Sequence, residues 1–158
     1  MTTTHHRQLI RAPRRDVYRA LLDPHLILRW RVPAEMTGRI HHFEAREGGA
    51  FRVSLTYSLP EGERGAGKTT EHTDSYGGTF RELVPDARVV EVLSFETTDP
   101  QLMGEMTITT KLSDVPEGTL LEATHEGLPP GLRPEDNELG WRESMERLAA
   151  LLEQHERS

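Results

Sequence analysis

Cysteine is absent from all 158 residues, which excludes a disulfide framework, a thiolate zinc site and a cysteine nucleophile. A basic tract is also missing: 26 acidic residues outweigh 19 basic ones, for a formal net charge of −7. Nucleic acid and anionic membrane surfaces therefore have no electrostatic handle on the chain. No apolar run is long enough for a signal peptide or a membrane-spanning helix, so the expected location is the cytoplasm. Aromatic residues make up only 6% of the chain, so the core must be built economically. The length suits one core, and residues 1–158 read as a single domain whose first six residues fray.

What is present is organised around residues 134–155. Trp141, Met145, Leu148 and Leu152 recur there at helical spacing, with Leu151 beside them, while Arg142, Glu143, Glu146, Arg147 and Glu153 fall elsewhere. Pro134 suits a first helical position, and Glu135, Asp136 and Glu138 suit the positive end of the helix dipole. Asn137 lies one turn before Trp141 on the same face. Such a helix must bury its stripe, and almost everything before it reads as strand.

In chain order, residues 8–12 form a short strand and Pro13 opens a helix that Asp23-Pro24 ends. A second short helix covers residues 25–30. Six strand-like runs follow, at 39–45, 50–59, 76–84, 88–97, 103–112 and 119–127. Alternation is plain in Phe51, Val53, Leu55 and Tyr57, and again in Met106, Ile108, Thr110 and Leu112. Residues 60–75 are a polar loop and 128–133 a linker rich in proline. Short connections imply an antiparallel meander.

Several stretches carry a family resemblance: Pro13-Arg14-Arg15-Asp16-Val17-Tyr18 with Trp30 downstream, Arg46-Glu47-Gly48-Gly49-Ala50-Phe51, Gly78-Thr79-Phe80-Arg81-Glu82-Leu83-Val84-Pro85, Gly104-Glu105-Met106-Thr107, Thr124-His125-Glu126-Gly127, and Gly140-Trp141 ahead of Leu148-Ala149. In that order the chain resembles the START-related proteins similar to the activator of the heat-shock protein 90 ATPase. The resemblance implies an α+β helix-grip fold: a curved antiparallel sheet of about seven strands around a long terminal helix, with a cavity between them. It does not imply one chemistry, since the wider group includes binding proteins, cyclases and chaperone regulators.

Residues 62–69, Gly-Glu-Arg-Gly-Ala-Gly-Lys-Thr, match the phosphate-loop pattern letter for letter. No helix pattern follows, and the expected antiparallel sheet lacks the βαβ unit such a loop needs. The stretch reads as a hairpin loop, a candidate lid over one end of the cavity, and not as a nucleotide site. The eight histidines show no HxH, HxxxH or HExxH spacing. His41 and His42 are expected on opposite faces of a strand, so no metal site is expected.

Glu82 shares strand parity with Phe80, and His125 with Leu121 and Ala123, so both are expected to face the cavity. A carboxylate and an imidazole there would suit general acid–base work. The alternatives are a satisfied buried polar group, or a bulge that turns the side chain to solvent. Trp30, Phe51, Val53, Phe80, Met106, Ile108, Trp141 and Met145 are candidate cavity walls, with Glu82, His125 and Asn137 as polar anchors. Gly140 is expected to admit a close neighbour.

The leading expectation is binding of a small, largely apolar molecule, without catalysis or cofactor. A cyclase-like enzyme using Glu82 or His125, and a regulator of a chaperone ATPase, are the alternatives. The polar outward residues Arg52, Ser54, Thr107, Thr109 and Lys111 weigh against the last. A homodimer is compatible with all three.

Overall fold

The computed structural model describes residues 2–33, 36–57 and 73–157. Among them the chain runs β1 (Thr3–Ile10), α1 (Arg14–Leu22), α2 (Pro24–Trp30), β2 (Met36–Phe43), β3 (Ala50–Tyr57), β4 (Thr73–Val84), β5 (Arg88–Phe95), a 3-10 turn (Pro100–Leu102), β6 (Met106–Val115), β7 (Gly118–Glu126) and α3 (Pro134–Arg157). The strands lie in the order β1-β7-β6-β5-β4-β3-β2, every pair antiparallel. The α+β helix-grip architecture is therefore the one the sequence implies. Strands β2 to β7 form a meander, and β1 closes onto β7.

Period-two patterning decides which side chains face inward. In β6, Met106, Ile108, Thr110 and Leu112 are buried while Lys111 is exposed. In β7, Thr119, Leu121, Ala123 and His125 are buried by the same alternation. The inner face meets α3 through Met145, Leu148, Ala149 and Leu152, all buried. Burying each large side chain of this kind contributes roughly 1.5–3 kcal/mol.

The Asp23-Pro24 break is used twice. It ends α1, and the Asp23 carboxylate then caps α2 by accepting from the His25 N–H at 2.9 Å. Trp30 closes α2 with its indole N–H donating to the Ala20 carbonyl at 2.9 Å, which ties the two short helices together. Arg147 of α3 donates to the Trp30 carbonyl at 3.1 Å and so fixes the end of α2 against the terminal helix.

Several expectations change. The N-terminus is not frayed from residue 3: β1 pairs with β7 from Thr3 opposite Glu126 to Ile10 opposite Thr119, and Thr4 and His6 are buried. Strand β2 runs from Met36 to Phe43, earlier than expected, and β4 begins at Thr73, inside the stretch read as loop. The phosphate-loop pattern at 62–69 lies outside the described residues, as does most of the supposed lid. His41 is a bulge residue; its ring reaches Ser54 at 2.7 Å, and His42 stands opposite Arg52, so the simple opposite-face argument does not hold. Among the described residues no three potential ligands gather into a metal cluster.

Gly140 also differs from expectation. A Cβ built there meets no heavy atom within 4 Å, so the glycine admits no close neighbour. Gly140→Ala is then expected to stabilise the helix by up to about 1 kcal/mol. Calorimetry should show the melting temperature rising by about 2–4 °C. A fall would mean that the helix is closely packed at this point after all.

Candidate functional site

A cavity of about 220 Å³ lies between the inner face of the sheet and the first turns of α3. Alternation delivers its walls: Leu55 from β3, Tyr76 from β4, Leu93 and Phe95 from β5, Met106 and Ile108 from β6. His125 comes from the end of β7, and α3 adds Asn137, Trp141 and Ser144. Arg31, directly after α2, completes the polar end.

Arg31 donates to Glu91 at 3.0 Å, with side-chain exposures of 12% and 9%. The guanidinium carbon lies 5.3 Å from the Tyr76 ring centre and 5.2 Å from that of Trp141. Burial alone would lower the Arg31 pKa, but Glu91 and Tyr76 more than offset it, and the net shift is upward. Arg31 is thus a buried cation already matched by an anion. Burial raises the pKa of the Tyr76 hydroxyl, which stays neutral.

A relay of side chains links β1, α3 and β7. The His6 Nε2 and Thr4 Oγ1 are 3.1 Å apart, and the Thr4 hydroxyl donates to Asn137 Oδ1 at 2.6 Å. The Asn137 amide nitrogen lies 3.1 Å from His125 Nδ1. With its oxygen engaged by Thr4, Asn137 offers N–H to His125, so Nδ1 accepts and the proton of the neutral imidazole sits on Nε2. His125 is held neutral chiefly by burial, then by His6 and Arg31, which together bring its pKa to about 3. Burial also lowers the pKa of His6. The two imidazole centres are 4.5 Å apart, and the Trp141 ring stands 4.7 Å from His125 in an edge-on arrangement. Among the described residues, His125 Nε2 and Trp141 Nε1 are buried without a hydrogen-bond partner.

Of the residues singled out from the sequence, Met106, Ile108, His125, Asn137 and Trp141 line this cavity. Trp30, Phe51, Val53, Phe80 and Met145 lie behind it in the core cluster. Glu82 is elsewhere. A bulge between Phe80 and Glu82 sets Phe80 opposite Glu91 but Glu82 opposite Val90, and Glu91 and Val90 are neighbours that point to opposite faces. Glu82 therefore lies on the outer face and pairs with Arg88, its side chain 38% exposed. The proposed Glu82–His125 acid–base pair does not form. His125 is also no free base, because its only unprotonated nitrogen is occupied by Asn137. Sequence reasoning missed Arg31, Tyr76, Glu91, Thr4 and His6. The shared parity of Thr4 and His6 with Ile10 was the one signal for the last two.

No helix among the described residues is long and apolar enough to cross a membrane. The comparisons with known proteins agree with the fold. The family model described as activator of Hsp90 ATPase homolog 1-like protein matches residues 11–153. A crystal structure of a protein from Chromobacterium violaceum is 30% identical, covering 97% of this chain and 99% of that one, with a TM-score of 0.82. One from Rhodobacter sphaeroides is 21% identical over 97% of this chain and 93% of its own, with a TM-score of 0.79. An AHSA1-like protein from Aeromonas hydrophila shares the fold at 15% identity, covering 99% and 96% of the two chains with a TM-score of 0.72. Among curated proteins none matches. On the match over residues 11–153, and on the 30% identity across nearly the whole chain, the protein belongs to the family of activator of Hsp90 ATPase homolog 1-like proteins.

Proposed function

We propose that the protein binds a small, largely apolar molecule between the sheet and α3, in the cytoplasm and without a cofactor. The observation that carries this reading is the cavity itself, about 220 Å³ walled by aliphatic and aromatic side chains from β3 to β6 and α3. It is smaller than the roughly 300–1,000 Å³ of sites for drug-sized ligands, which favours a compact molecule of one or two rings. The wall is hydrophobic, so transfer of such a molecule from water supplies the affinity.

A bound ligand stabilises the fold by mass action. A ligand at one hundred times its dissociation constant adds about 2.7 kcal/mol. For a chain of this length that is a rise in melting temperature of about 5–11 °C. Thermal scans across a panel of one- and two-ring hydrocarbons, phenols and short fatty acids measure it. No shift with any member at its solubility limit would overturn the reading.

The cyclase-like alternative loses its carboxylate with Glu82 on the outer face. Contact with a chaperone ATPase would need a contiguous apolar patch outside the cavity. Among the described residues only Met103 and Leu139 are large exposed hydrophobics. No observation favours either that reading or a homodimer over the cavity.

A further inference from the structure

We propose that the polar end of the cavity is a carbonyl subsite, in which His125 Nε2–H and Trp141 Nε1–H donate to one uncharged carbonyl oxygen on the apolar ligand. This rests on the reading of the cavity as a binding site and adds the chemical class of the occupant: a ring ketone, aldehyde, ester or lactone.

Both nitrogens are buried and have no partner among the described residues, and both belong to side chains that line the cavity. Native interiors seldom leave even one such donor unmet. Here two lie on rings whose centres are 4.7 Å apart. An oxygen accepts two hydrogen bonds, one to each lone pair, so a single carbonyl can answer both.

The relay behind His125 gives the arrangement its direction. Asn137 occupies Nδ1, Thr4 holds the Asn137 oxygen, and His6 stands against Thr4. Each link is a side chain fixed on β1, α3 or β7, so the imidazole arrives as an oriented donor and not as a base. Its edge-on neighbour Trp141 is a donor only. An acceptor is therefore the group these two donors suit; a ligand hydroxyl hydrogen or ammonium would find no answering lone pair from these two nitrogens.

The charge balance selects the kind of acceptor. Arg31 lies 5.2 Å from the Trp141 ring centre, but its charge is already matched by Glu91. A buried carboxylate would arrive as an unmatched anion and lose its hydration without a counter-charge. A carbonyl keeps the pocket neutral.

The test uses 1-tetralone, tetralin and 1,2,3,4-tetrahydro-1-naphthoate, which share one two-ring skeleton and differ in the oxygen function. Titration calorimetry is run on the wild-type chain and on Trp141→Phe, which keeps an aromatic wall and removes one donor. Tetralone is expected to lose about two- to tenfold in affinity in the variant, the worth of one hydrogen bond, while tetralin changes by less than about twofold. Naphthoate should bind more weakly than tetralone. The infrared carbonyl stretch of tetralone bound to the wild-type chain should lie below its position in a hydrocarbon solvent, a measurement that needs no variant. Tetralin binding with no lowered stretch and no selective loss for tetralone would overturn the subsite and leave the cavity reading standing. Naphthoate binding more tightly than tetralone would overturn the uncharged acceptor. Failure of all three compounds to bind would overturn the cavity reading and the subsite with it.

Discussion

Between about pH 6.5 and pH 3 the protein is expected to lose stability on acidification, on the order of 1 kcal/mol for each pH unit, on account of His125 alone. The sign follows from proton counting. In the unfolded chain the imidazole takes a proton below its ordinary value of 6.5, whereas in the fold it resists until about 3. Within that window the unfolded state binds more protons, so stability rises with pH. The contribution is fully present above pH 6.5 and is lost as the pH falls towards the folded value. His6, also shifted downward by burial, adds to the same trend.

The total over the window is on the order of a few kcal/mol, a large part of the roughly 5–15 kcal/mol that holds a domain together. Carboxylates titrate at the lower end of the range, so the measurement must be comparative. Urea unfolding at pH 7, 6, 5 and 4 is run on the wild-type chain and on His125→Gln, which cannot take up the proton. The variant should be less stable at pH 7, because its relay partner Asn137 is disturbed, yet visibly flatter between pH 6 and 4. Identical slopes in the two proteins would show that His125 is not held neutral in the fold.

How far the site could be read in advance depends on what each residue's position rests on. The terminal helix was legible because Met145, Leu148 and Leu152 repeat at a fixed period, and that period places all three on the buried face. Met106, Ile108 and His125 were legible by strand alternation, and all three reach the cavity. Glu82 obeyed the same rule on paper and failed in fact. One extra residue at the Phe80–Glu82 bulge reverses parity, and no residue type at Arg81 announces it. His41 failed in the same way.

Arg31 and Glu91 were invisible for a different reason. Each is an ordinary charged residue in its own segment, and their pairing spans 60 positions. Val89 to Leu93 is buried throughout, with Glu91 at its centre, so the local pattern reads as an apolar strand interrupted by a charge. Only the packing of the α2 terminus over the sheet reveals the partner. The β1 residues Thr4 and His6 were hidden by their place near the N-terminus, where fraying is the ordinary expectation; the ladder to β7 prevents it.

That ion pair should be the most sensitive polar point of the fold. Glu91→Leu leaves the Arg31 guanidinium buried without its anion, and a loss of about 3–5 kcal/mol is expected. On a chain of this size the melting temperature should drop by roughly 6–20 °C. Arg31→Met is expected to cost a comparable amount, since it strands the Glu91 carboxylate and removes the cation from over Tyr76 and Trp141. The double variant Arg31→Met/Glu91→Leu should recover most of the loss, because two apolar side chains carry no desolvation penalty. The cycle separates two accounts of the pair. If the single losses simply add in the double variant, the two charges are not coupled, and their role is only to fill space. If the double variant is close to the wild-type chain, the penalty lies in stranding a charge. Arg31 then serves the cavity as a wall that had to be neutralised from behind, by the one carboxylate that β5 can place beneath it.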